Sequence, residues 1–302
     1  MSTFKEKYKT ADGESILLLG APGTGKSYFA GSICEVVDPA RVLLLCPKPR
    51  EKMSALYRKY GLTEKAEIFT DIATWDPDAD KYGATAWSSL YKRVNALLSD
   101  DKYDAVIVDP FTDAVTLLEH SILSTFKVSS PGELQNTQAF YRQLADKSYD
   151  FIQRLTALTD SKIAKSPKFI IVTMHTQPQK EAVVLPASQT GGIKGVTKPS
   201  ADQVAEGIEY AGSVMPQMEG SYRRRMAGDF GLVMYTEVKN GGGKRMNAAT
   251  KQMETVPTEF LMQARCSEER HAKMASIVAD SVPDAIPNDF KTLLGYLQAG
   301  VK

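Results

Sequence analysis

The chain has 302 residues, 43% of them apolar and 24% charged, with 37 Lys and Arg against 36 Asp and Glu for a net charge of +1. That balance supports a sizeable packed core and excludes a strongly basic binder of nucleic acid, so any such contact must be a local patch. Cys34, Cys46 and Cys266 are scattered and odd in number, which suits a reducing compartment and offers no metal-binding spacing. The charged start, Met1 to Lys9, has no apolar leader, and no apolar run reaches membrane-span length. The expectation is a cytoplasmic protein without a membrane partner.

In chain order, the apolar run Ile16-Leu17-Leu18-Leu19 leads into Gly20-Ala21-Pro22-Gly23-Thr24-Gly25-Lys26-Ser27. Tyr28 to Cys34 can then continue as a helix. This is G-x-x-x-x-G-K-S in the strand, loop and helix setting that a phosphate-binding P-loop requires. Glycines let backbone N–H groups turn in around phosphate oxygens, and the following helix points its positive end at the same anion. Lys26 is placed to reach the β- and γ-phosphates, and the Ser27 hydroxyl to ligate Mg²⁺.

Arg41 to Cys46 reads as a strand buried on both faces, stopped by Pro47 and Pro49. Arg50 to Tyr60 reads as a helix ended by Gly61, Ala66 to Thr70 as a weaker strand, and Ala84 to Leu98 as an amphipathic helix. Tyr103 to Asp109 is another buried-type strand. Phe111 to His120 reads as helix, Ser121 to Thr137 as mixed with a turn at Ser129 to Gly132, and Gln138 to Leu158 as a long helix. Lys168 to His175 is the next apolar strand. Alternation of this kind predicts a parallel sheet with helices on both faces and ligands at the carboxyl ends of the strands, which gathers the P-loop, Asp109 and His175 at one edge.

Beyond residue 175 the pattern weakens. Residues 176–203 have little periodicity and read as a long loop. Glu206 to Met226 carries a helical period interrupted by Pro216. Phe230 to Val238 reads as a strand, Lys239 to Lys244 as a turn, and Arg245 to Thr250 as the hairpin return. Glu259 to Cys266 fits a strand or a short helix. Asp289 to Ala299 is a closing helix with Asn288 or Asp289 as its N-cap. The domain expectation is a P-loop core over residues 1–250 and an extension over 251–302 packed on it.

The chemistry follows from placement. Asp109 ends an apolar strand, as the acid that holds a P-loop metal's water shell does; the alternative is a cap for the helix after Pro110. Pro110 stands where many ATPases carry a water-activating Glu, so a general base must come from elsewhere, with Glu67, Asp71 and Asp113 as candidates. His175, at the end of its strand, is placed either to contact the γ-phosphate or the attacking water, or simply to be satisfied at the strand end. Arg223-Arg224-Arg225 offers an arginine finger, a contact to DNA phosphates, or a solvated helix end. With Tyr222, the loop cations Lys194, Lys198, Lys239, Lys244 and Arg245 fit a single-strand groove or an ordinary surface.

Gly20–Ser27, the strand Tyr103–Asp109, the strand Phe169–His175 and, weakly, the segment Ser281–Phe290 together resemble the RecA-like P-loop ATPases of bacteriophages that act in recombination and single-strand annealing. The resemblance implies an α/β RecA-like fold, ATP and Mg²⁺ as cofactors, and a homo-oligomer acting on single-stranded DNA in the host cytoplasm, alone or with another phage replication or recombination protein. It puts residues 176–203 in the position of a DNA-binding loop. Two other functions compete with it. One is a P-loop ATPase for DNA packaging, helicase loading or virion assembly; the other is a small-molecule kinase with the arginines as a phosphate lid.

Overall fold

The computed structural model describes residues 13–47, 55–69, 82–178, 214–217, 222, 225–246, 253–263 and 282–299. The strands are β1 (Ser15–Gly20), β2 (Val42–Cys46), β3 (Glu67–Ile68), β4 (Ala105–Val108), β5 (Phe169–Pro178), β6 (Val214–Pro216), β7 (Leu232–Met246), β8 (Met253–Gln263) and β9 (Ala285–Pro287). The α-helices are α1 (Lys26–Ser32), α2 (Ala55–Lys59), α3 (Leu62–Lys65), α4 (Tyr82–Ala96), α5 (Phe111–Phe126), α6 (Thr137–Ala157) and α7 (Phe290–Ala299).

Eight strands run in the order β3-β2-β4-β5-β1-β7-β8-β9, and β6 pairs with β5 off that path. From β3 to β7 all neighbours are parallel. β8 and β9 add antiparallel, as does β6. The expected class, a mostly parallel sheet flanked by helices, is the one observed. The continuous apolar runs have the reason expected of them, since alternate residues are buried on opposite faces. Leu17, Leu19, Val106, Val108 and Val172 pack with α4, α5 and α6 on one face. Ile16, Leu18, Leu44, Ile107 and Ile171 pack with α1, α2 and α7 on the other.

The lower rim is tied by polar contacts. Arg41 Nε and Nη2 donate to Asp104 Oδ2 and Oδ1 at 2.5 and 2.8 Å, joining the starts of β2 and β4. Lys168 is fully buried, and its ammonium donates to the carbonyls of Asp100 and Ser166, both at 2.7 Å. Among the described residues no helix is long and apolar enough to cross a membrane.

Several expected elements differ. α5 runs on to Phe126, where Lys127 takes φ 56°, so the first part of the segment read as mixed is helix. The described part of the expected helix 206–226 is not helical: Val214–Pro216 pairs with β5, where tertiary pairing overrides the period, and Met226–Asp229 is a short 3₁₀ turn. The expected turn at Lys239–Lys244 is strand. β7 continues through the glycines, with Gly241 opposite Thr258 and Gly243 opposite Val256, after a register shift between Val238 and Asn240. Glycines at a bulged, twisting ladder read in sequence like a turn. The hairpin return is therefore Met253–Gln263, which also settles Glu259 to Gln263 as strand.

Candidate functional site

β1 ends at Gly20 and α1 begins at Lys26, with the loop between them at the carboxyl edge of the sheet. Gly23 and Gly25 take φ of 81° and 93°, left-handed values that penalise a side chain. Gly20 is needed for a different reason. A Cβ there would lie 2.4 Å from Thr236 Oγ1 and 2.6 Å from Thr24 Oγ1. Those two hydroxyls are 2.7 Å apart, so β7 closes the back of the loop. Pro22 is exposed at its tip.

Lys26 is 6% exposed. Its ammonium donates to the carbonyls of Gly20 and Ala21, both at 2.7 Å, which folds the cation over the mouth of the loop. Ser27, one residue on, is half-buried at the start of α1.

Asp109 follows β4 and is 2% exposed. Its Oδ1 accepts from Thr173 Oγ1 at 2.5 Å and its Oδ2 from Tyr57 Oη at 2.6 Å. Thr173 lies on β5, the strand between β4 and β1. Two residues further on, His175 stands in register with Gly20. Its N–H donates to Thr112 Oγ1 at 3.0 Å and its carbonyl accepts from Gln217 N at 2.7 Å. One strand thus presents Thr173 to the acid and His175 to the first glycine of the loop, and the chain behind β6 is pinned to the same strand end.

Tyr57 and Asn288 were not among the sequence candidates for this site. Tyr57 is 1% exposed; burial, then the Asp109 carboxylate and the bond to it, hold its phenol well above its ordinary range. Asn288, 4% exposed and just before α7, donates from Nδ2 to the Gly25 carbonyl at 3.0 Å. Phe290 N, in the first turn of α7, donates to Ser32 Oγ at 2.8 Å, so the C-terminal segment is bonded to both ends of α1. A tyrosine beside a leucine in a short helix reads as core, and an asparagine before a helix reads as a cap. Asp289 has the capping role instead, accepting from Thr292 N at 2.7 Å.

The other candidates lie apart. Glu67 accepts from Arg93 Nε at 2.6 Å on the edge strand β3, with β2, β4 and β5 between it and β1. At the usual strand spacing that is about 19 Å from the loop. Asp113 is half-buried in the first turn of α5, and Asp71 lies outside the described residues. Arg225 is exposed, with its N–H on the Tyr222 carbonyl at 2.9 Å; Arg223 and Arg224 lie outside the described residues. Tyr222 does not form an exposed stacking surface. It is buried, donates to Asp229 Oδ2 at 2.7 Å and packs edge-on against Tyr149. Burial and Asp229 raise its phenol pKa. β5 extends to Pro178, so the first residues of the expected loop are strand, and residues 179–203 lie outside the described residues.

Nucleotide and metal fit what is there. The loop offers a cation already held against oxygen atoms, which phosphate oxygens can replace. The Ser27 hydroxyl at the start of α1 and the buried Asp109 carboxylate are hard-oxygen donors of the kind Mg²⁺ takes together with phosphate.

Taken together, the sheet order and the loop define a P-loop α/β protein. No protein-family profile matches the chain, and no curated protein matches it either. Among solved structures, the crystal structure of the RadB recombinase is matched over 88% of this chain and 92% of that one, at 10% identity and a TM-score of 0.34. At that score the likeness adds nothing to what the strand order and the loop already say.

Proposed function

We propose that the chain is a Mg²⁺-dependent, RecA-like P-loop ATPase that works as a homo-oligomer on single-stranded DNA, in recombination or strand annealing. The observation that carries the nucleotide half of this reading is the Lys26 ammonium folded onto the carbonyls of Gly20 and Ala21, beside a β5 strand that bonds Asp109. Backbone N–H groups of Gly20–Ser27 hold the phosphates, and Lys26 exchanges its carbonyl contacts for β- and γ-phosphate oxygens. Ser27 and Asp109 hold Mg²⁺, which when bound neutralises charge developing on the transferred phosphoryl group.

His175, beside Gly20, is the residue that registers the γ-phosphate. Its carbonyl bond to Gln217 gives that registration a route to the chain beyond β5. The DNA half of the reading rests on that stretch, residues 176–203, and on Arg223–Arg225 as finger or phosphate contact. A further phage replication or recombination protein is a partner compatible with it. Residues 251–302 are proposed as an extension of the 1–250 core, its closing segment bonded to α1.

The test is ATP turnover with and without single-stranded DNA at low salt, with molecular mass measured in ATP. The reading predicts DNA-stimulated turnover and a mass above that of one chain. Turnover indifferent to DNA, with no salt-sensitive binding, removes the DNA half. Turnover that survives Lys26→Ala removes the nucleotide half.

A further inference from the structure

Tyr57 is called for neither by the loop motif nor by the strand-end acid, yet its position is built. α2 comes down on α1 at Gly31, where a Cβ would lie 3.1 Å from Leu56 Cδ2 and 3.2 Å from Tyr57 Cδ1. The glycine therefore sets how deeply the tyrosine sits. At that depth the ring is fully buried and its hydroxyl donates to Asp109 Oδ2 at 2.6 Å.

A phenol has one proton, and here it goes to Asp109 Oδ2. Thr173 Oγ1 donates to Oδ1 of the same carboxylate, so donors from two separate elements, α2 and β5, fix its orientation. Asp109 has roughly four acceptor positions, and with Tyr57 and Thr173 using one each the remainder are left for a cation's water shell.

We propose that Tyr57 is a positioning residue for Mg²⁺, holding the Asp109 carboxylate so that its remaining lone pairs are offered to the cation's water shell. This rests on the reading of Ser27 and Asp109 as the metal side of an ATP site. Groups acting on a metal through its ligands typically change metal affinity 10- to 100-fold.

The experiment is calorimetric ADP binding, in EDTA and across a Mg²⁺ titration, for the wild-type chain, Tyr57→Phe, Asp109→Asn and the double variant. Tyr57→Phe keeps the ring against Gly31, and its ADP affinity in EDTA reports that the loop is folded; that affinity is expected within about twofold of wild type. The Mg²⁺ concentration for half-maximal tightening is expected to rise about tenfold or more. In the Asp109→Asn background the same change is expected to add much less, because the carboxylate that Tyr57 holds is already gone. A wild-type Mg²⁺ requirement in Tyr57→Phe, or an undiminished effect in the Asp109→Asn background, overturns the proposal alone. Failure of the wild-type chain to bind ADP under any condition overturns the ATP-site reading, and the proposal with it.

Discussion

Asn288 offers a prediction in which a truncation and an isosteric change diverge. Asn288→Ala removes the Nδ2 bond to the Gly25 carbonyl, worth about 1 kcal/mol. It orphans nothing on the other side, because Gly25 O keeps the Phe29 N–H at 2.9 Å. It also removes Oδ1, a buried acceptor that has no partner among the described residues, which offsets part of the loss. The net cost is expected to be about 1 kcal/mol or less.

Asn288→Asp, by contrast, sets a carboxylate oxygen against a carbonyl oxygen at 3.0 Å, at a site 4% exposed where the other side-chain oxygen has no donor among the described residues. A buried unpaired charge of that kind costs about 3 kcal/mol or more. The sign with pH follows. The introduced carboxyl has a folded pKa above its unfolded value near 4, and its neutral form can donate to Gly25 O. Its stability is therefore retained below the unfolded value and falls as pH rises toward the folded one, by about 1.4 kcal/mol per pH unit. Urea unfolding of both variants at pH 5 and pH 7 measures this. If Asn288→Asp is no less stable than Asn288→Ala at pH 7, the placement of Asn288 on the loop is wrong.

Other consequences are as direct. Gly25→Ala combines a φ of 93° with a Cβ 2.4 Å from Asn288 Nδ2 and 3.0 Å from Phe260 Cδ1, so a loss of about 2–4 kcal/mol is expected in denaturant melts. Asp104→Ala breaks the two-pronged bond from Arg41, whose side chain is 39% exposed; with solvent screening the expected cost is about 1 kcal/mol, smaller in high salt. Burial, then the carboxylates of Asp38 and Glu35, push the Cys34 thiol up to about 12. At pH 8 it should be labelled by a thiol reagent only after denaturation, read cysteine by cysteine in peptide mass spectra.

The parts of the fold that were legible are those whose signal is local. β2, β4 and β5 are apolar runs because both faces of the sheet are covered, and burial of that kind leaves its mark residue by residue. The order of strands has no such mark. That β5 lies between β1 and β4, and so carries both Thr173, bonded to Asp109, and His175, in register with Gly20, is decided by pairing between segments distant in sequence. The misread segments share a cause. Gly241 to Gly243 have a turn's composition but a ladder's partners, and Met215 fits a helical period yet pairs across to Gln177.

In the site the same division holds. The loop was readable because eight residues of fixed spacing carry it, and Asp109 because it ends a strand. Tyr57 and Asn288 act through single side chains brought in from other parts of the chain, and neither residue type at that spacing carries a pattern. Tyr222 shows the converse. Its neighbours in sequence are arginines, but its ring is committed to the core against Tyr149 and Asp229.

The measurement closest to the central claim is the affinity of the purified chain for ATP with Mg²⁺, compared with that of Lys26→Ala, each with a melting curve as a check on folding. Loss of a buried charge-assisted contact to phosphate predicts that Lys26→Ala binds at least tenfold more weakly, about 1.4 kcal/mol, while still unfolding cooperatively. Equal binding by the two proteins, or no binding by the wild-type chain, would contradict the account.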